Sequence, residues 1–201
     1  MPYQNNHNSK RNVLLLSLSQ AALITGTSLL LASSAVVGLA LAGNKSLATL
    51  PLALLFLAQM TTSIPASLYM ARVGRRVGFM TSSLFGLAGA ALAAAGVFKA
   101  DFSIFCFGTT LIGVFNGFGQ YYRFAAAEVA ADDFRSRAIS YVLAGGVIAA
   151  FAGPNLANWS RYLLQEDFAG SYASLIGIYL LAFSLAAFMR IPSFRFWCWW
   201  Q

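Results

Sequence analysis

Long apolar stretches separated by short polar interruptions dominate the chain. Runs of about 20 apolar residues cross a bilayer as helices, and six can be marked, at 13-42, 47-71, 78-98, 102-130, 138-160 and 170-189. The interruptions are Gly43 to Ser46, Arg72 to Val77, Lys99 to Asp101, Ala131 to Arg137 and Arg161 to Ala169. Connections this short force consecutive helices to run antiparallel. The first run follows Lys10 and Arg11. It is too long for the apolar core of a signal peptide, about 7 to 15 residues, and so reads as a span that stays in the membrane. The pattern predicts an all-α polytopic membrane protein: a cytoplasmic N-terminal tail over 1-11, a six-helix transmembrane bundle over 12-190 and a C-terminal tail over 191-201.

Composition supports the same class. Charged residues are 9% of the chain and hydrophobic residues 59%, with a mean hydropathy of +0.68, whereas soluble domains carry roughly 25% charged residues. The net charge of +7 does not indicate a nucleic-acid partner, because the basic residues are scattered over short loops rather than gathered on one face. They act instead as topology signals. Lys10, Arg11, Arg72, Arg75, Arg76, Arg135, Arg137, Arg190 and Arg195 fall on one side, against Lys45, Lys99 and Arg161 on the other. The positive-inside rule then places both termini in the cytoplasm, in what is expected to be a bacterial inner membrane. Cys106 and Cys198 make neither a disulfide framework nor a metal-type spacing, and the lone His7 lies in a polar leader. No cofactor, metal or nucleotide-binding pattern is present.

Polar groups inside the apolar runs carry the functional expectation. Asn116, Gln120 and Arg123 recur at helical spacing within the fourth run, so a continuous helix would align them on one stripe. An ionisable group within a span costs about 2.5 to 3.5 kcal/mol on insertion scales and faces a hydrated cavity or a partner helix. The competing reading is that Arg123 snorkels to the headgroups or ties two helices together. Gln20 and Gln59 are further polar groups at depth, lining the same cavity or bonding between helices. Tyr121 and Tyr122 either flank the cavity or pack as core. Asp101, Glu166 and Asp167 mark the outer edge, and Glu128, Asp132 and Asp133 the inner. None lies near the midplane, so these residues supply no titrating carboxylate for proton coupling. Glu128 lies about 120° around the helix from the polar stripe and is expected to pair with Arg72, Arg75 or Arg76.

Two internal prolines, Pro65 and Pro154, are 89 positions apart, as are Lys10 and Lys99, and Arg72 and Arg161. The offset suggests two three-helix repeats, which an odd number of spans per repeat would make inverted. Glycines are spread through the third, fourth and fifth runs, as in closely packed membrane helices.

The segment Ser67-Leu68-Tyr69-Met70-Ala71-Arg72-Val73-Gly74-Arg75-Arg76-Val77-Gly78 resembles motif A of the major facilitator superfamily, between its second and third helices. The match rests on Arg72, Gly74, Arg75 and Arg76; Ser67 and Ala71 replace the family's leading glycine and its aspartate. That aspartate helps lock the inner side of the family's transporters, so its latch is missing here. Gly153-Pro154 in the fifth run is similar to the Gly-Pro centre of motif C, with Ala157 and Asn158 in place of a downstream glycine pair. That Gly-Pro is expected to kink its helix. Arg123 falls on the helix where motif B also carries an arginine.

The resemblance covers nearly the whole chain but one half of the usual twelve-helix architecture. It implies a secondary transporter moving a small polar or amphipathic solute by alternating access, completed by a second six-helix half or a homodimer within the lipid bilayer. The substrate cavity would involve Arg123, Gln120, Asn116, Gln20 and Gln59. Conformational elements would be Arg72, Gly74, Arg75, Arg76, Glu128, Gly153 and Pro154. The aromatic tail over 191-201 is read either as the product of a truncated or frameshifted gene or, through its Trp cluster, as an anchor at the inner interface, and a non-transporting membrane remnant or interaction protein is the alternative. Competing readings, a water channel and enzymes, lack the residues they would need. No Asn-Pro-Ala pair of a water channel, no membrane serine-histidine pair and no phosphate-binding glycine loop are present.

Overall fold

A computed structural model describes residues 6–130, 133–160 and 169–189. Every regular element is helical: α1 (Asn6–Ala42), a single 3-10 turn (Lys45–Leu47), α2 (Leu50–Val73), α3 (Arg75–Phe98), α4 (Phe102–Gly119), α5 (Tyr122–Val129), α6 (Arg135–Ser160) and α7 (Ala169–Phe188). Six stretches are long and apolar enough to cross a membrane, α4 and α5 together making the fourth. The protein is an integral membrane protein. The calls on Asp132, Arg161, Glu166, Asp167, Arg190, Arg195, Cys198 and the 191-201 tail lie outside the described residues.

Two boundaries differ from expectation. Helix α1 begins at Asn6, so half of the expected N-terminal tail is helical; the polar leader contains no helix breaker after Pro2. The fourth run, expected as one helix, is interrupted at Gln120–Tyr121. Both residues keep right-handed helical angles, and the Tyr121 amide bonds to the Phe118 carbonyl at 3.0 Å. One tightened turn therefore shifts the phase without reversing the chain.

Small residues set the helix seams. Helices α1 and α6 run in the same direction: the Ser17 hydroxyl donates to the Tyr141 carbonyl at 2.9 Å and, further along, Thr25 to Ala149 at 3.4 Å. Helices α2 and α4 also run together, Gly113 lying against Leu55 and Gly117 against Gln59 and Thr62. Helix α3 crosses α4 in the opposite sense, with Gly86 on Phe115 and Gly96 on Phe105. The contact of α7 on α1 is likewise antiparallel. Ser19, Gly26 and Ser33 recur every seven residues on α1; the Tyr172 hydroxyl lies 3.2 Å from that of Ser33, and the Tyr179 ring covers Gly26. Gly26 leaves the space that the phenol fills.

Exchanging α1, α2 and α3 for α4, α6 and α7 maps this set of pairings onto itself. The α1–α6 seam becomes α4–α2, α3–α4 becomes α7–α1, and α3–α7 is unchanged. Since α1 and α4 run oppositely, the two three-helix repeats are inverted. The sequence offset is faint because the seams use different members: glycines lie on α4 in one and on α6 in the other.

The core lies between α1, α3, α4 and α7, built on Phe79, Phe105, Phe115, Tyr122, Tyr172 and Tyr179. Helices α2 and α6 are the least covered. In the apolar window of each, 11% and 22% of residues are buried, against 50% or more in the first, third and fourth spans.

Candidate functional site

The basic loop is tighter than its sequence suggests. Gly74 alone separates α2 from α3, with φ 91° and ψ 154°, a combination open to glycine and closed to other residues. Its amide caps Met70 of α2 at 2.9 Å and its carbonyl accepts from the Gly78 amide at 3.1 Å. The three arginines are thereby split. Arg72 ends α2, where a cation complements the helix dipole, while Arg75 and Arg76 open α3, where the dipole opposes them. Each of the latter finds a negative partner. Arg75 makes a two-pronged ion pair with Glu128 on α5, and Arg76 donates to the Ala187 carbonyl at 2.6 Å, at the negative end of α7. Of the three arginines open to Glu128 in the sequence, the fold selects Arg75.

These contacts gather the basic ends. The Ser9 hydroxyl donates to the Val129 carbonyl, and Arg135 donates to Ala127 at 3.1 Å. The start of α1, the α2–α3 turn, the end of α5, the start of α6 and the end of α7 therefore share one end of the bundle. Asp101 belongs to the other end, where its carboxylate caps α4 by accepting from the Ser103 and Ile104 amides at 2.8 and 3.1 Å.

The polar stripe on the fourth span does not survive as a single environment. Asn116 is 1% exposed, and neither its carbonyl oxygen nor its amide nitrogen has a hydrogen-bond partner. Gln120 is half-buried at the helix break, and Arg123, on α5, is exposed. The guanidinium carbon of Arg123 lies 5.1 Å from the ring centre of Phe124, within cation–π range. Tyr122 is fully buried on Phe79, with ring centres 4.4 Å apart. Tyr121 is half-buried, and its hydroxyl donates to the Ser63 carbonyl of α2 at 2.8 Å. The expected pair of tyrosines thus divides between core and a cross-helix tie.

Gln20, half-buried on α1, lies beside Gly146 of α6, and half-buried Gln59 on α2 has its carbonyl beside Gly117 of α4. Both therefore sit at seams flanking the fourth span. Gly153 meets Ser28 and Thr25 of α1, whereas Pro154 is exposed and α6 continues through it to Ser160. In the Gly-Pro pair the glycine admits α1, and the proline leaves the Ala150 carbonyl without its usual donor. Reasoning from sequence missed Phe124, whose only signal was adjacency to Arg123, and the Tyr121 tie, whose acceptor is a backbone atom invisible to side-chain patterns.

No known protein-family profile matches the chain. The chain is similar to the riboflavin transporter RfnT of Brucella anthropi, 37% identical over 188 residues that cover 93% of this chain and 47% of that protein. It spans about half the length of the curated relative it matches.

Proposed function

We propose that this six-helix bundle is one half of a secondary transporter of the major facilitator type, carrying riboflavin or a closely related small solute across the bacterial inner membrane. The observation that carries the reading is the similarity of nearly the whole chain to half the length of a riboflavin transporter. The fold adds support. An inverted pair of three-helix repeats, short glycine-packed seams and a basic turn closed by charge-assisted contacts suit a bundle that rocks as a unit against another.

The second bundle comes from a further segment of the protein, from a separately encoded chain or from a second copy. The exposed apolar faces of α2 (Met60, Ile64, Leu68) and α6 (Val147, Ile148, Phe151) are the surfaces available to it. Gln120, Arg123 and the flanking Gln20 and Gln59 face the passage between bundles, and Asn116 joins them when the fourth span turns about its break. Arg72, Gly74, Arg75, Arg76 and Glu128 hold the basic, cytoplasmic end, with Gly153 and Pro154 shaping the α1–α6 seam.

Uptake in cells tests the reading. A riboflavin-requiring bacterium lacking its own carrier is given the chain, alone or together with the C-terminal half of the Brucella anthropi relative. Accumulation of labelled riboflavin above the empty-vector level is expected in at least one arrangement. Membrane-inserted chain with no accumulation in either would leave a non-transporting membrane protein.

A further inference from the structure

We infer that Phe124, Tyr121, Arg123 and Gln120 form the seat for the planar ring of the flavin, the polar edge of that ring meeting Arg123 and Gln120. The inference rests on the proposed riboflavin reading and names the residues that would recognise the solute.

The fourth span buries one side of its inner half, through Tyr122, Ala125 and Ala126, and leaves Phe124 50% exposed beside exposed Arg123. Tyr121 and Phe124 are one turn apart, with ring centres 6.1 Å apart and planes at 45°. Tyr121 is not free to follow a ligand, because its hydroxyl is tied to Ser63, two residues before Pro65 in α2. One wall of the aromatic pair is therefore fixed by a neighbouring helix, while Phe124, with the Arg123 guanidinium 5.1 Å over its ring, remains 50% exposed.

A cation beside an exposed ring is ill suited to lipid. Its cost at depth is avoided when it faces water or a polar ligand. Phe124 precedes Glu128 by four residues on α5 and so lies about 6 Å deeper in the span, at a rise of about 1.5 Å per residue. This puts the group inside the charged end rather than at it. The isoalloxazine system has a broad conjugated face, an apolar dimethyl edge and an imide edge bearing two carbonyls and an N–H. Its face suits Phe124 and Tyr121, as bases suit aromatic platforms. Its carbonyls suit the guanidinium, which only donates, and its N–H suits the Gln120 amide, which can accept as well as donate. A small aliphatic amino acid would use the polar groups and leave the rings idle.

Binding to the full chain in lipid nanodiscs separates this inference from the transport reading. Riboflavin is the probe, followed by its own fluorescence and by equilibrium dialysis. Phe124→Ala is expected to weaken binding about tenfold, the effect of removing one stacking partner, with an unchanged unfolding midpoint. Phe124→Trp is expected to retain binding and to deepen the quenching of flavin emission, since indole in contact with the ring is an efficient quencher. Phe107→Trp, at a somewhat more exposed position near the other end of the span, is expected to do neither. If the wild-type chain binds riboflavin and both Phe124 variants behave as wild type, the ring sits elsewhere while the transport reading stands. If the wild-type chain binds no riboflavin either alone or co-assembled in the nanodisc with the C-terminal half of the Brucella anthropi relative, the reading and the inference fall together.

Discussion

Asn116 offers the sharpest test of whether the bundle keeps a buried polar group at a cost in stability. Asn116→Ala removes an amide that is 1% exposed and unpartnered at both polar atoms. A buried polar group left unpaired costs about 1 to 3 kcal/mol. The substitution opens a void of a few tens of Å³, which at about 24 cal/mol per Å³ costs about 1 kcal/mol. Membrane-embedded unfolded chains also find partners for their polar groups, which reduces the benefit. The net expectation is no loss, or a gain of about 1 kcal/mol, equivalent to a rise of about 2–4 °C in the unfolding midpoint for a chain of this size.

Cys106 provides the assay, being a buried free thiol that a maleimide dye reaches only on unfolding, with Cys198 replaced by serine to silence the tail. A midpoint several degrees below wild type would refute the reasoning, because it would mean that the amide is satisfied in the folded chain. Raised stability with riboflavin accumulation lost would identify the amide as a group kept for transport at the expense of stability.

Three further outcomes are expected. Gly113→Ala places a methyl group 2.3 Å from the Leu55 carbonyl oxygen and should cost about 1–3 kcal/mol, whereas Gly177→Ala, which meets nothing within 4 Å, should gain about 0.5–1 kcal/mol; thermal midpoints of the two should move in opposite directions. Gly74→Ala forces a side chain into a glycine-only conformation and should cost about 1–3 kcal/mol, visible as a lowered midpoint and as increased proteolysis at the α2–α3 turn. The side chains of Arg75 and Glu128 are 21% and 40% exposed, so a double-mutant cycle with Arg75→Gln and Glu128→Gln should give a coupling of about 1 kcal/mol or less that shrinks in high salt; a zero coupling at low salt would show that the pair does not hold the turn to α5.

The six spans were legible in the amino-acid sequence because crossing a bilayer is a one-dimensional requirement: enough consecutive apolar residues, with charge confined to the ends. The glycine between Arg72 and Arg75 announced its turn for a comparable reason, since the conformation it adopts is local. The repeat was legible only faintly, because inverted halves share a pairing pattern without sharing which helix of each pair carries the small residues.

Tertiary structure decided what depends on neighbours. Helical spacing put Asn116, Gln120 and Arg123 on one stripe, but one tightened turn and the crowding of α2 and α3 left the first sealed in the core and the last exposed. Three arginines were equally eligible for Glu128 until α3 fixed Arg75 opposite α5. The seven-residue step from Gly26 to Ser33 acquired meaning only when Tyr179 and Tyr172 arrived from a helix more than 130 residues away, the first to cover Gly26 and the second to meet the Ser33 hydroxyl. Periodicity states which positions share a face; what that face meets is set by chain segments that no local pattern can see.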